Sequence, residues 1–398
     1  QEAFPGRFQE ALAAREVDRS MGHTKTLFEE TMNRIRDTGT IALLSNDSSQ
    51  ITPSSSAHRI LTALYPAFQR VFERCGVHIL KKATFQDTLQ ESVWSCRTFN
   101  LPFYLLLLEN SESFDQVYEW LADEHSRRVF DWFVQVHMSG LFLGRFTPKI
   151  FPFVERGEAP THPPIAVKRR GFFRYRYFVD KYQFHCSEPV IEPVFLRRDY
   201  AYRDIVLPSS GESIVEGGGY YGETALWFSD AVGPAGHVWS FEPDAHSYRM
   251  LCENMARNRL KNVTPVPVGL WDTEGQIGFR SQASASRAAE GDCAKPVPVI
   301  TLDRLVERER LEKVDYIKLD IEGAERRALL GMEHTIRYFR PKLAICVYHL
   351  FDDIIAIPRL VKELCPDYVL YLDHKSDTLS ETVLFALPRT RAELSGGA

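Results

Sequence analysis

The sequence predicts an α/β fold in which a mostly parallel, seven-stranded sheet ends in an antiparallel hairpin, preceded by a mixed, mainly helical N-terminal region. From about residue 210 onward, short apolar strand segments alternate with helical segments, which is typical of a parallel sheet covered on both faces. The last two strand segments are joined by HKSDTLSE, residues 374–381, which is too short to hold a crossover helix. Before residue 200, apolar residues recur at helical spacing between proline-rich connections.

The bulk composition predicts a soluble globular protein of two or three domains. The chain has 398 residues, of which 44% are hydrophobic and 25% are charged, and its net charge is −5. This mild acidity gives no reason to expect nucleic acid or an anionic membrane as a partner. Seven scattered cysteines indicate reduced thiols, and the longest apolar run is too short to span a bilayer. Because the residues from Gln1 onward also lack the pattern of a secretory signal, we expect a cytoplasmic protein.

The first region, residues 1–200, is predicted to be mainly helical. Helices are expected at Thr24–Arg36, with an end near Asp37, at His58–Cys75, and from Ser113 toward His137. The alternation of arginine and aromatic residues in Lys168–Phe178 predicts a strand. We expect this region to cap the active site, select the substrate or mediate homo-oligomerisation. Residues 201–390 are predicted to form the second domain, and residues 391–398 a C-terminal tail.

The second domain is predicted from seven strands and the helices between them. The predicted strands are Ser213–Glu216, His237–Glu242, Val263–Val268, Val314–Asp320, Lys342–Tyr348, Tyr368–Asp373 and Thr382–Leu387. The predicted helices are Gly222–Ala231, Asp244–Arg259, Gly323–Met332 and Asp353–Leu364. The terminal antiparallel pair is a feature that a plain dinucleotide-binding fold has no reason to contain.

The stretch SIVEGGGYYGETALWFSD, residues 213–230, places a glycine loop directly after the first of these strands. Gly217, Gly219 and Gly222 form the pattern G-x-G-x-x-G. Glu242 lies twenty residues beyond Gly222, where a dinucleotide enzyme places its ribose-binding acid. This literal match leaves a nicotinamide cofactor, and therefore an NAD(P)-dependent oxidoreductase, as one interpretation.

The charges around the loop favour a different nucleoside cofactor. Glu216 ends the strand before the loop and Glu223 opens the helix after it, so two carboxylates would repel a pyrophosphate. S-adenosylmethionine removes this conflict, because it carries a sulfonium and an ammonium group and no phosphate. The pattern then becomes E-x-G-x-Y-x-G, from Glu216 through Gly218 and Tyr220 to Gly222. An acid at the tip of the next strand, Glu242, would accept hydrogen bonds from the ribose hydroxyls.

From about residue 213 to residue 388, the chain resembles the FkbM family of S-adenosylmethionine-dependent methyltransferases, which have the class I, Rossmann-like methyltransferase fold. The matching motifs are VEGGGYYGET (215–224), SFEPD (240–244), ITLDRL (300–305), VDYIKLDIEGAE (314–325) and AICVYHLFDDIIAIP (344–358). Glu216 stands where the family usually has Asp. The resemblance implies methyl transfer to a hydroxyl group of a sugar, a glycosylated natural product or a related small molecule.

This interpretation predicts cofactor contacts at the carboxyl ends of the strands, where ligands bind in open α/β sheets. Gly269, just after the third strand, lies where the edge of the adenine would be. The predicted cofactor-binding residues are Glu216, Gly217, Gly218, Tyr220, Gly222, Glu223, Thr224, Glu242, Pro243, Gly269 and Asp320.

The predicted catalytic residues are His349 and Asp320. A histidine has an ordinary pKa of about 6.5, so a neutral His349 could accept the proton of an acceptor hydroxyl, or it could only position the substrate. Asp320 could contact the cofactor, orient His349 or act as the base, whereas Glu322 and Glu325 are expected to stabilise a helix N-terminus. Asp320, Glu322, His349 and Asp352 could also hold a divalent metal, but their spacing has no metal-specific signature, so no metal is predicted. A catalytically idle scaffold protein is the remaining interpretation.

Overall fold

A computed structural model describes residues 22–44, 99–143, 147, 151–152, 165–169, 175–179, 181–186, 191–280, 287–288, 295–376 and 379–389. Contacts within the chain define two compact units. The first comprises residues 1–116 and 131–152, and the second comprises residues 117–130 and 153–398. The second unit therefore starts earlier in the chain than the predicted border at residue 200.

The described residues before position 153 are almost entirely helical, as the spacing of apolar residues predicts. The helices are α1 (His23–Leu44), α2 (Leu101–Glu109), α3 (Ser111–Trp120) and α4 (Glu124–Leu143). Buried aromatic rings form the core of the first unit, with Phe103 in edge contact with Phe114 and Phe133. Polar contacts join its helices as well, since His23 Nε2 lies 2.7 Å from Asp131 Oδ1.

Three details of this region differ from the sequence-based expectations. Helix α1 continues to Leu44 instead of ending near Asp37, and the apolar run Leu101–Leu108 forms the unpredicted helix α2. The single helix predicted from Ser113 toward His137 is interrupted, because Leu121 pairs with Leu370 and the Asp123 side chain caps the next helix at Ser126 N. The predicted helix at residues 58–75 lies outside the described residues.

A small antiparallel sheet and a short helix precede the main sheet. They are β1 (Ile165–Arg169), β2 (Tyr175–Val179), β3 (Tyr182–Cys186) and α5 (Ile191–Phe195). The single strand predicted at 168–178 is thus wrong, because residues of this range belong to two separate strands that pair antiparallel.

The remaining elements alternate between strands and helices. The strands are β4 (Ser213–Gly217), β5 (His237–Phe241), β6 (Val263–Val266), β7 (Gly269–Leu270), β8 (Gly275–Arg280), β9 (Arg287–Ala288), β10 (Lys295–Ile300), β11 (Tyr316–Leu319), β12 (Lys342–Cys346), β13 (Tyr368–His374) and β14 (Thr382–Pro388). The helices are α6 (Glu223–Val232), α7 (Ala245–Arg257), α8 (Leu302–Glu309), α9 (Glu325–Leu330), α10 (Glu333–Phe339) and α11 (Asp353–Leu364).

Seven strands form the main sheet in the order β13-β14-β12-β11-β4-β5-β6. The five strands from β12 to β6 are parallel, while β14 is antiparallel to both of its neighbours. This arrangement confirms the predicted fold class. Strand β4 is buried along its whole length, which agrees with the continuous apolar runs expected of a parallel strand covered on both faces.

A second sheet of four short strands, in the order β7-β10-β8-β9, was not predicted. Its sequences are a weak signal, because β7 has two residues and β10 contains two prolines. The strand predicted at 263–268 ends at Val266, and the chain enters the second sheet at Gly269.

Two asparagines at the C-terminal end of α7, Asn254 and the capping residue Asn258, explain why residues 181–186 belong to the second unit. The Asn254 side chain accepts a hydrogen bond from His185 N and donates one to His185 O, and Asn258 forms the same pair of bonds with Gln183. These bonds fasten β3 to helix α7 of the main sheet. Within the described ranges, no helix combines the length and apolar character of a membrane span.

Candidate active site

The glycine loop begins at the carboxyl end of β4, and two of its positions accept only glycine. Gly218 has φ of +80°, and a Cβ atom there would lie 1.9 Å from the carbonyl oxygen of Asp320. Gly222 has φ of +90°, and a Cβ atom there would lie 2.7 Å from side-chain atoms of Leu251 and Met255. The left-handed backbone and the lack of space both exclude a side chain.

Backbone hydrogen bonds hold this loop against the end of the neighbouring strand β5. Gly218 N and Gly219 N both donate to Phe241 O, at 3.1 and 2.9 Å, and Gly222 N donates to Gly219 O at 2.7 Å. The loop therefore folds over the edge of the sheet and leads directly into helix α6.

Lys318, which sequence analysis missed, supports the loop from the next strand. Its side chain is buried in β11, in register with Glu216 of β4, and Nζ donates to Gly217 O at 3.0 Å and Gly218 O at 2.8 Å. Burial lowers the pKa of Lys318, but the charges of Asp320 and Glu216 outweigh this effect, so its pKa is raised and the ammonium is retained. A single lysine within the apolar strand YIKL is the signal that could have revealed it.

Glu216 is a fully buried carboxylate at the end of β4. Ser240 Oγ donates to its Oε2 at 2.5 Å, whereas its Oε1 has no hydrogen-bond partner among the described residues. Burial raises the pKa of Glu216 to about 7, and the nearby Lys318 charge only partly opposes this shift. A positive charge beside Glu216 would therefore stabilise its ionised form.

Glu223 is a second buried carboxylate, at the start of α6 directly after Gly222. Its Oε2 atom also lacks a partner within the described part of the chain. Burial raises its pKa to about 8, and the charge of Glu216 contributes to the shift. Thr224, the next predicted contact, is buried beside it in the first turn of the helix.

Glu242 follows the last residue of β5 and connects the glycine loop to the start of helix α7. Tyr220 N donates to its Oε2 and Asp244 N to its Oε1, each at 2.8 Å. Burial raises the pKa of Glu242 to about 7 in spite of these two bonds. Asp244 in turn caps helix α7 by accepting from Ser247 N, so the acid is positioned by both neighbouring turns.

An apolar cavity lies between the glycine loop and the second sheet. Pro243 and Gly269, both predicted cofactor contacts, are among its walls. Sequence analysis missed most of the others, which come from the end of β5, from β7, β8 and β10 and their connections, and from the turn after β11. The lining includes Phe241, Pro243, Gly269, Trp271, Val297 and Val299.

Asp320 follows β11 and lies at the same edge of the sheet. Tyr200 donates its hydroxyl hydrogen to Asp320 Oδ2 at 2.6 Å, and Lys318 Nζ lies 3.9 Å from the same oxygen. Burial opposes ionisation of Asp320, but Lys318 and His349 outweigh it, so its pKa is lowered and the carboxylate is charged. Tyr200 precedes the main sheet in the chain, and no motif signalled its contribution.

His349 follows β12, where it is surrounded by carboxylates. Its Nδ1 lies 2.9 Å from Glu325 Oε1, and its Nε2 lies 3.4 Å from Asp320 Oδ1 and 3.6 Å from Glu322 Oε2. Burial lowers the pKa of His349, but these three negative charges outweigh burial and raise it to about 10. In this state of the site the imidazole therefore carries a positive charge, in contrast to the neutral base considered from sequence.

Glu325 has a larger role than the helix-stabilising one expected of it. Ile321 N and Gly323 N donate to its two oxygen atoms at 2.8 and 3.0 Å, which confirms that it stabilises the turn before α9. The same side chain orients His349. Of the metal ligands considered from sequence, Asp352 is instead paired with Arg326 through two hydrogen bonds of 2.8 and 3.0 Å.

Glu381 is a further acid that sequence analysis missed. It has φ of +75°, a left-handed conformation that is uncommon for a residue with a side chain, and it precedes β14. The Tyr348 hydroxyl donates to its Oε1 at 3.4 Å. Burial and the charge of Asp320 raise the pKa of Glu381 to about 8. The site therefore collects acids from the ends of four strands.

Comparisons with known proteins identify the domain that carries this site. Residues 210–375 match the family model of the methyltransferase FkbM domain. A crystal structure of methyltransferase FkbM from Methylobacillus flagellatus aligns with a TM-score of 0.50 and 20% identity, covering 70% of this chain and 59% of that one, which supports the same fold.

Two curated relatives match shorter stretches. The hexuronic acid methyltransferase AglP of Haloferax volcanii is 29% identical over 104 residues, or 25% of this chain. The protein-L-isoaspartate O-methyltransferase of Methanothrix thermoacetophila is 30% identical over 95 residues, or 24% of this chain. The chain spans 43% of the length of each. Together with the observed sheet order, the family match shows that residues 210–375 form a methyltransferase FkbM domain.

Proposed function

We propose that this protein transfers a methyl group from S-adenosylmethionine to a hydroxyl group of a sugar, a glycosylated natural product or a related small molecule. The observation that carries the choice of cofactor is the pair Glu216 and Glu223. Each is a buried carboxylate with an oxygen atom that lacks a partner among the described residues. Buried charge is costly unless it is paired, so this loop favours a ligand that brings positive charge.

The same residues fit the rest of the cofactor. Glu216 and Glu223 would face its cationic amino-acid end, while Gly217, Gly218, Tyr220, Gly222 and Thr224 shape the loop around it. Glu242 would accept hydrogen bonds from the ribose, because each of its oxygen atoms still has a lone pair beyond the backbone bond that it accepts. The apolar cavity beside Pro243 and Gly269 suits the flat aromatic faces of a base such as adenine.

The acceptor would bind beyond the cofactor, beside Asp320 and His349. These residues follow the adjacent strands β11 and β12, and β11 pairs with β4, which carries the glycine loop. When bound, S-adenosylmethionine supplies an activated methyl group to an acceptor oxygen by in-line displacement. The protein must align this oxygen and assist the loss of its proton. We assign these tasks to Asp320 and His349: the ionised Asp320 would accept the proton, and the charged His349 would orient the acceptor.

A sugar acceptor is supported by the relative described as a hexuronic acid methyltransferase. The matched stretch contains only 104 residues, so the acceptor class is a proposal that needs its own test. A nicotinamide cofactor is disfavoured, because the unpaired oxygen atoms of Glu216 and Glu223 would face its two phosphate charges.

The proposal is tested in two steps on the full chain. Titration calorimetry should detect binding of S-adenosylmethionine and S-adenosylhomocysteine but not of NADH, and affinity for NADH alone would contradict the cofactor assignment. Mass spectrometry after incubation with sugars, uronic acids and glycosylated macrolides should then detect a gain of one methyl group. Cofactor binding without transfer to any acceptor in such a panel would favour a scaffold protein.

The variant His349→Gln separates binding from chemistry. It should retain affinity for S-adenosylhomocysteine and lose most of the transfer rate. His334→Gln, an exposed histidine in α10, serves as the matched control and should transfer at the normal rate. Full transfer by His349→Gln would remove His349 from the mechanism.

A further inference from the structure

Three potential ligand atoms converge beside Asp320. His349 Nε2 lies 3.4 Å from Asp320 Oδ1 and 3.6 Å from Glu322 Oε2, longer than an ordinary N–H···O hydrogen bond. The His349 side chain is only 6% exposed, and within the described residues its Nε2 has no hydrogen-bond partner. Buried polar atoms are normally satisfied, so this nitrogen atom indicates a missing ligand.

Glu325 determines which nitrogen atom of His349 faces the other two residues. A carboxylate can only accept a hydrogen bond, so His349 Nδ1 carries a hydrogen atom and donates it to Glu325 Oε1 at 2.9 Å. Backbone amides of Ile321 and Gly323 hold Glu325 in turn. A carboxylate on the far nitrogen of a histidine is the usual outer partner of a metal-bound imidazole.

Asp320 is oriented in the same manner. Its Oδ2 accepts the Tyr200 hydroxyl at 2.6 Å and faces Lys318 Nζ at 3.9 Å. Its Oδ1 is the atom directed at His349 Nε2. Two neighbouring side chains therefore leave one oxygen atom of Asp320 and one nitrogen atom of His349 directed at a common point.

We propose that Asp320 Oδ1, Glu322 Oε2 and His349 Nε2 bind a divalent cation of the Mg²⁺ or Mn²⁺ class, which replaces the proton that Nε2 carries in the charged imidazole and releases it to solvent. Donor atoms around an octahedral cation at about 2.1 Å lie about 3 Å apart, so the two separations from His349 Nε2 need to contract by about half an ångström, and the Glu322 side chain must also move toward Asp320. Asp320, Glu325 and His349 each offer a ligand atom within 4.8 Å of the others. Both oxygen atoms of Glu325 already accept hydrogen bonds, so we assign Glu325 to the outer shell. Two carboxylates and one imidazole suit Mn²⁺.

The use of this cation in methyl transfer rests on the proposed function. A hydroxyl group bound to a divalent cation loses its proton more readily, so the ligands would assist the acceptor through the cation. Three protein ligands leave positions on an octahedral ion for oxygen atoms of the acceptor. The cation would also balance the acids at this edge, which would otherwise repel an anionic acceptor such as a uronic acid.

Mn²⁺ binding to the full chain tests the site directly, without cofactor or acceptor. The electron paramagnetic resonance signal of free Mn²⁺ should fall as protein is added and indicate one bound ion per chain. Glu322→Gln, at a partly exposed position, should weaken the affinity at least tenfold, and His349→Gln should do the same. Glu325→Gln should weaken it about 10–100-fold, as expected of an outer-shell partner. Glu253→Gln, an exposed acid of α7, should leave it unchanged.

The outcomes separate this proposal from the proposed function. Unchanged Mn²⁺ affinity in Glu322→Gln, or no binding by the unmodified protein, would overturn the cation site. S-adenosylhomocysteine affinity measured on each variant verifies that the domain is folded, and Glu322→Gln decides the question if His349→Gln does not fold. The protein could bind Mn²⁺ through Glu322 and His349 and yet methylate no acceptor. This result would contradict the proposed function and would still support the cation site.

Discussion

The affinity for S-adenosylmethionine should rise steeply between pH 6 and pH 8. Glu216 and Glu223 have pKa values of about 7 and about 8, because both are buried without enough positive charge beside them. A ligand with a sulfonium and an ammonium group stabilises their ionised forms, so binding must release the protons that they hold. Raising the pH removes those protons in advance, and the affinity therefore increases with pH.

The two pKa values set the size of the effect. A group with a pKa of about 8 is ionised in about one chain in a hundred at pH 6 and in about half of the chains at pH 8, an increase of about fiftyfold. The same arithmetic gives about tenfold for Glu216. The two acids repel each other and titrate together, so we expect the dissociation constant to fall by at least about tenfold over this range.

Titration calorimetry measures both parts of the prediction. Dissociation constants at pH 6, 7 and 8 give the slope, and buffers with different heats of ionisation give the number of protons released per bound cofactor. S-adenosylhomocysteine lacks the sulfonium charge, so its affinity should depend less on pH. A pH-independent affinity for S-adenosylmethionine, or proton uptake on binding, would refute the assignment of these acids to the cofactor.

Glu223→Gln isolates the acid with the higher pKa. It should reduce the pH dependence to that of Glu216 alone, whereas the exposed Glu253→Gln should leave the dependence as it was. The variant should also change stability in the absence of cofactor. A carboxyl group whose folded pKa lies above its unfolded value of about 4.5 destabilises the fold increasingly as the pH rises from about 4.5 to about 8. Glu223→Gln should therefore lose less thermal stability than the unmodified protein between pH 5 and pH 8.

Three further substitutions test how the loop and the acids are supported. Gly218→Ala should abolish cofactor binding, because its Cβ atom would overlap a carbonyl oxygen. Gly211 has φ of +81° but open space around it, so the control Gly211→Ala should lower the free energy of unfolding by only about 1–2 kcal/mol and should retain cofactor binding. Lys318→Met should lower the free energy of unfolding by about 3–5 kcal/mol in denaturant titrations, because it removes the positive charge beside the buried Asp320. A change below about 1 kcal/mol would contradict a stabilising pair between Lys318 and Asp320. Tyr200→Phe should lower kcat for methyl transfer with little change in cofactor affinity, and an equal loss in both would place its role at the cofactor instead.

The sheet could be predicted from sequence because its signals are local and repeated. Four of the five parallel strands are short runs before a helix, and the eight-residue connection at 374–381 excludes a crossover. The second sheet could not be predicted in this way. Its strands contain glycine and proline, and their pairing joins β7 to β10 across a long stretch of sequence. Such pairing depends on tertiary contacts that no single window of sequence contains.

The residues of the candidate site also differ in how well the sequence predicts them, for the same reason. The glycine loop and Glu242 were found from spacing, because a βαβ unit fixes where successive strand ends lie. The charge of His349 could not be predicted from spacing, because it depends on three acids that approach the ring in space. Two of them, Glu322 and Glu325, were assigned to a helix N-terminus, and only the turn before α9 directs them to the imidazole.

Lys318 lies between two groups of acids at this edge of the sheet. Its ammonium lies in register with Glu216 on one side and 3.9 Å from Asp320 on the other, while its hydrogen bonds hold the glycine loop. One lysine cannot neutralise both groups of carboxylates, so positive charge is still required on each side. S-adenosylmethionine would supply it beside Glu216 and Glu223, and a divalent cation would supply it between Asp320, Glu322 and His349. S-adenosylmethionine and the divalent cation should then bind with little mutual repulsion. Lys318 and the glycine loop lie between the two sites, and each site has its own excess of negative charge.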